Sequence, residues 1–84
     1  MKEFYITFRS ITYAQKGQST LQKAGIRCQL HRTPRMLEEN GCGYCLVLSR
    51  WDSMEAVERL RKGNILFKRC YLRTPEGNWE EQRI

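Results

Sequence analysis

Apolar and polar residues alternate over Lys2–Arg9 (KEFYITFR), with Phe4, Ile6 and Phe8 on one side and Tyr5, Thr7 and Arg9 on the other. A period of two in a run rich in β-formers predicts a first strand whose Phe4–Ile6–Phe8 face looks into a core. Past the hydroxyl residues Ser10 and Thr12, Tyr13, Gly17, Leu21 and Ala24 recur at helical spacing. They predict a first helix over roughly 13–24, ended by Gly25 at C′. Ala14 and Gly17 allow this helix to lie close to a sheet. Ile26–His31 (IRCQLH) alternates again, placing Ile26, Cys28 and Leu30 on one face of a second strand. A polar connection, Arg32–Gly41, leads into Cys42–Leu48 (CGYCLVL), the nearly continuous apolar run expected of a central third strand. Asp52-Ser-Met-Glu55 has capping-box spacing, and Ala56, Val57 and Leu60 share a face of a second helix stopped by Gly63-Asn64. Ile65–Arg73 (ILFKRCYLR) reads as a fourth strand. Pro75-Glu-Gly-Asn reads as a turn, with Trp79 the large anchor of the segment beyond it.

The order β-α-β-β-α-β predicts an α+β fold of ferredoxin-like arrangement. Such a fold is a four-stranded antiparallel sheet with two helices on one face, and strand order 4-1-3-2 keeps the crossovers right-handed. Residues 1–74 make a single domain on this view, and 75–84 a short acidic C-terminal tail. The length of 84 residues excludes a dinucleotide-binding fold, a kinase lobe or a barrel. There is no signal peptide and no apolar run of about 18 residues, so a cytoplasmic protein without membrane association is expected.

Charge changes this picture by its placement. Lys and Arg number 15 against 9 Asp and Glu, a net of +6. The last ten residues hold Glu76, Glu80 and Glu81 against Arg83, a net of −2, which leaves +8 on the body. Such a body suits anionic partners. The β-α-β-β-α-β order is also that of the RNA-binding RRM, but CGYCLVL lacks the basic-Gly-aromatic pattern of that module's stacking strand, which argues against nucleic acid. The open sheet face is instead expected to be covered by a second subunit, making a homodimer, or by the Trp79 segment.

Four cysteines without a secretion signal are expected to be thiols rather than a disulfide framework. The topology brings the ends of strands one and two, the start of strand three and the start of the first helix to one edge. Arg9, Ser10, the amides around Thr12–Tyr13, His31, Arg32, Arg35 and Cys42 are expected there. Guanidinium groups and a helix N-terminus favour thiolate, so Cys42 is the candidate reactive thiol. Gly43 leaves access to its sulfur open. His31 is either a strand-end surface residue or a tuner of Cys42. Cys28 and Cys70 read as packing residues, whereas Cys45 has the parity of the open face. Cys28-x2-His31 with Cys42-x2-Cys45 imitates a zinc pattern, but residues three apart on a strand point to opposite faces, so no metal and no cofactor is expected. The same parity weakens a Cys42–Cys45 disulfide unless Cys42-Gly43 forms a turn, in which case Cys45 becomes a resolving thiol.

Several short motifs occur in a telling order: Tyr5-Ile6-Thr7-Phe8 with Ser10, Ala14, Ala24-Gly25-Ile26, Thr33-Pro34-Arg35, and Cys42-Gly43 before an apolar strand. In this the chain resembles the Se/S carrier-like proteins, small bacterial domains, over residues 4 to about 71. The resemblance implies a cysteine that carries sulfur or selenium, as persulfide or selenosulfide, between a donor enzyme and an acceptor protein. It makes Cys42 the carrying residue and gives Arg35 the task of holding the loop or the anion. Glu38-Glu39-Asn40 stands where the family tends to have small hydroxyl residues, and Cys45 and Trp79 are additions. From other classes, a regulatory or assembly module and a Cys42/Cys45 redox switch remain as alternatives.

Overall fold

The computed structural model of the chain describes residues 3–37 and 43–83. Its elements are β1 (Glu3–Phe8), α1 (Ile11–Lys23), β2 (Cys28–Arg32), β3 (Tyr44–Ser49), α2 (Ser53–Lys62), β4 (Cys70–Arg73) and β5 (Trp79–Gln82). Short 3-10 turns occupy Arg35–Leu37 and Arg50–Asp52. The fold is α+β, and the strands make one antiparallel sheet in the order β2-β3-β1-β4-β5. Among the described residues it therefore has five strands where the sequence pattern predicts four. Residues expected as a short acidic tail turn back along β4, with Trp79 on the open sheet face as one of the two expected covers. The turn is closed by hydrogen bonds from Gly77 N–H to the Thr74 carbonyl and from Thr74 N–H to the Asn78 carbonyl, both 2.9 Å. Gly77 sits at φ +85°, a conformation that costs other residues strain.

Local chemistry explains where the helices begin and end. Ser10 caps α1 by accepting the Tyr13 N–H at 3.3 Å, so the helix starts two residues before the first periodic position, Tyr13. At its other end Gly25, at φ +81°, lets Ile26 N–H reach the Leu21 carbonyl (2.9 Å) and Gly25 N–H reach that of Gln22 (3.0 Å). This is a Schellman closure, and α2 repeats it with Asn64, whose φ is 55°, and Ile65 bonded to Leu60. The capping-box expectation at Asp52 does not hold. Asp52 makes no side-chain cap bond, because a 3-10 turn precedes α2 and Ser49 accepts the Trp51 N–H instead.

Both helices cover the same face of the sheet. Phe4, Ile6, Phe8, Leu46, Leu48 and Cys70 meet Ala14 and Leu21 of α1 and Ala56, Val57 and Leu60 of α2 in one core. Gly17 permits the close approach: a Cβ there would lie 3.1 Å from the Phe8 ring and 3.2 Å from Leu46. On the opposite face Tyr5, Cys45, Val47 and Tyr71 form a second, smaller core, with Leu37 and Trp79 packed against it. Trp79 meets the Tyr5 ring edge-on at 4.7 Å, and the Arg73 guanidinium lies 4.8 Å from its centroid.

β4 is shorter than its sequence pattern predicts, for a reason that lies in another strand. The β1–β4 ladder runs from Glu3↔Arg73 to Ile6↔Cys70. Beyond it, Lys68 N–H donates to the Thr7 carbonyl (2.7 Å), while Thr7 N–H donates to the Arg69 carbonyl (2.8 Å). The hydroxyl of Thr7, a residue only 3% exposed, accepts the Arg69 N–H at 3.1 Å and donates to the Arg69 carbonyl at 3.2 Å. Two residues thus oppose one, and the strand bulges.

Candidate functional site

The strand register brings the expected edge together only in part. Phe8 lies opposite Tyr44, and Tyr44 opposite Arg32, so the ends of β1 and β2 and the start of β3 share one end of the sheet. Arg9 and Ser10 follow Phe8 into α1, whose N-terminus lies at the same end. Arg9 and Arg32 nevertheless stand two strand spacings apart, roughly 10 Å, because β3 runs between their strands. Arg9 lines a pocket on the β4 side with Lys68 and Arg69. Arg32, on the β2 side, holds its guanidinium 5.9 Å from the Tyr44 ring. The cations thus form two groups at that end.

Ser10 has its hydroxyl in the α1 cap. His31 is exposed on β2 and within 3.0 Å of the Gln29 amide oxygen. Its register partner is Cys45, across from which lies Thr7, so these three residues share the face away from the helices. Arg35 is exposed in its 3-10 turn. Gly43 is buried, and its carbonyl accepts the Thr33 N–H at 3.0 Å, tying the connection between β2 and β3 at its root. Leu37 N–H bonds to the Pro34 carbonyl at 2.9 Å, and Leu37 packs over the second core. Cys42 and its neighbours 38–41 lie outside the described residues.

Cys28, Cys45 and Cys70 are free thiols that serve the packing of the fold. Cys28, half-buried on the helix side, points its sulfur at the Gln18 carbonyl (4.0 Å), and burial raises its pKa. Cys45 has the parity expected of it, yet Leu37 and its neighbours leave it no exposure. Its thiol donates to the Arg32 carbonyl at 3.9 Å, and desolvation pushes it up to about 11 against a lesser, lowering contact with Thr33. Cys70, in the main core, is pushed up to about 12 by burial, slightly opposed by Arg61. The Thr33 hydroxyl beside Cys45 is buried without a hydrogen-bond partner within the usual distance.

Cys28 and His31 fall on opposite faces, and no cluster of three or more His, Cys, Asp or Glu forms among the described residues. No helix there is long and apolar enough to cross a membrane. Alternation along a fourth strand hides Lys68, Arg69 and Phe67 from sequence reasoning, because the bulge that gathers them depends on Thr7. Thr33 appears in the sequence only as part of a Thr-Pro-Arg motif.

Comparison with known proteins adds one finding. No curated protein and no solved structure matches the chain. A family model does, over residues 3–72, which takes in both helices, β1 to β3, most of β4 and every cysteine. With a match across most of its length, the chain belongs to the family described as Putative Se/S carrier protein-like.

Proposed function

We propose that the protein carries sulfur or selenium on Cys42 between a donor enzyme and an acceptor protein. The observation that carries this reading, within the family membership, is the fate of the other three thiols. Cys28, Cys45 and Cys70 are all held in packing and raised in pKa by burial, which keeps them protonated at neutral pH. Cys42 is the cysteine left for nucleophilic chemistry. In the step itself the Cys42 thiolate attacks the outer sulfur of a donor persulfide. The new S–S bond forms at Cys42, the donor's S–S bond breaks, and the donor leaves as thiolate. The products are Cys42–S–SH and the donor thiolate, so no external oxidant or reductant is needed. An acceptor thiolate takes the outer atom by the same exchange, and selenium follows the same course as a selenosulfide.

Arg35 and Arg32 on one side, and Arg9 on the other, stand at the end of the sheet where β3 begins, and positive charge there would favour thiolate and persulfide anions on the residue that precedes Gly43. Intact mass after incubation with a cysteine desulfurase and cysteine tests the reading. A gain of about 32 Da, one sulfur held as persulfide, is expected. It should vanish in Cys42→Ser and persist in Cys28→Ser. Absence of the adduct from every cysteine sinks the proposal. A loss of about 2 Da that needs both Cys42 and Cys45 would favour a disulfide switch instead, against which the burial of Cys45 weighs.

A further inference from the structure

Beside the start of α1, Arg9, Tyr13, Leu66, Phe67, Lys68 and Arg69 line a pocket of about 490 Å³. Three of these residues are cationic, two are aromatic, and none is acidic. The volume falls in the range of small-molecule sites and is ample for a mononucleotide. Sequence alternation along a regular strand would send Lys68 and Arg69 to opposite faces. Both residues nevertheless line this pocket, next to the bulge held by Thr7, and they also border a smaller one with Glu81; bulges commonly re-aim side chains beside functional sites. Arg61 adds a fourth cation, 6.0 Å from the Phe67 ring, and Lys16 lies 5.9 Å from the Tyr13 ring. Tyr13 is 39% exposed and Leu66 70%, so apolar surface stays open beside the charge. Clustered cations match a phosphate, and rings next to them match a planar base, the combination that proteins use to hold single nucleotides.

We propose that this pocket binds a nucleotide, with its phosphate among Arg9, Lys68 and Arg69 and its base against Tyr13 and Phe67. The site shares Arg9 with the positive rim proposed for Cys42 but needs no thiol, so its binding does not depend on that chemistry. A free nucleotide and a nucleotide within single-stranded RNA present the same groups, and the test distinguishes them.

Isothermal titration of the full chain at low salt with AMP, inorganic phosphate, adenosine and a five-nucleotide RNA supplies that test. AMP or the RNA should bind at least about tenfold more tightly than phosphate or adenosine, since both halves of the ligand are recognised. Preference for AMP identifies a free nucleotide, and preference for the oligomer identifies RNA. Arg9→Ala should weaken binding about tenfold or more, whereas Arg50→Ala, at the far end of the sheet, should leave it within about twofold. Phe67→Leu should weaken AMP while sparing phosphate. Binding should survive in Cys42→Ser, which separates this site from the carrier reading. On the unaltered protein, NMR amide shifts on adding AMP should concentrate at residues 9–13 and 66–69. Equal affinity for phosphate and AMP, unchanged binding in Arg9→Ala, or shifts centred elsewhere would each overturn the proposal.

Discussion

Cys45 and Cys70 lie on opposite faces of the sheet, one packed with Leu37 and the other beneath the helices. Their thiols are pushed up to about 11 and about 12 by loss of water contact. Two outcomes follow at this scale. In the native protein near pH 8, neither residue should react with iodoacetamide until the chain is unfolded, which peptide mapping would check. The fold also favours the protonated form of both, so the stability tied to them is intact below their ordinary value near 9. It is lost as pH climbs through 11 to 12. The melting temperature should therefore fall increasingly above pH 9, and Cys70→Ala should blunt that fall relative to its own value at pH 8. A flat profile to pH 11 would contradict the assigned environments.

Among the elements, the caps and the bulge are the places where similar residues differ in consequence. Ser10 bonds the start of α1, so Ser10→Ala should cost about 1 kcal/mol in urea unfolding. Asp52 makes no such bond, and Asp52→Ala should cost less than about 0.5 kcal/mol despite its capping-box spacing. Thr7→Val keeps the buried volume but leaves the Arg69 N–H unpaired. A loss of about 1–3 kcal/mol is expected, together with weaker nucleotide binding. Much of this level was legible in the sequence. The alternation of Phe4, Ile6 and Phe8 with Tyr5 and Thr7 marks both faces of β1, and Gly25 and Gly63-Asn64 mark the helix ends. Ile65–Arg73 misleads because nothing within it signals that a hydroxyl on β1 will take the place of a ladder bond. The Trp79–Gln82 sequence, WEEQ, lacks β-branched residues and a clean alternation, so its strand becomes visible only when β4 supplies a partner.

For the molecule as a whole, β5 is part of the sheet rather than an appendage. Trp79 covers Tyr5, and the exposed Glu80 and Glu81 give this edge of the sheet a charge that discourages pairing with other chains. A chain ending at residue 74 should melt well below the full-length protein and associate through the bared β4 edge. Trp79→Ala should reproduce part of the destabilisation, roughly 2 kcal/mol, without the association. Thermal melts and sedimentation would separate the two effects, and an equally stable monomeric 1–74 chain would refute the role given to β5. At this scale the sequence disclosed the layers and the sharing of one end by Arg9 and Arg32. It could not disclose the division of the cations into two groups, because that division depends on β3 running between β1 and β2.

The bond between Thr33 and Gly43 carries a consequence for how a cargo could be handed on. Gly43 is buried at the foot of β3, and Cys42 is its covalent neighbour, with Cα atoms about 3.8 Å apart across one peptide. A sulfur held there is on a leash one residue long. On the carrier reading proposed above, so short a tether would differ from a long flexible arm that swings its cargo between distant stations. Donor and acceptor would have to come to the same rim in turn, each with a catalytic centre that admits the blunt end of a sheet. Their two docking footprints should then overlap, and a saturating amount of one should block the other.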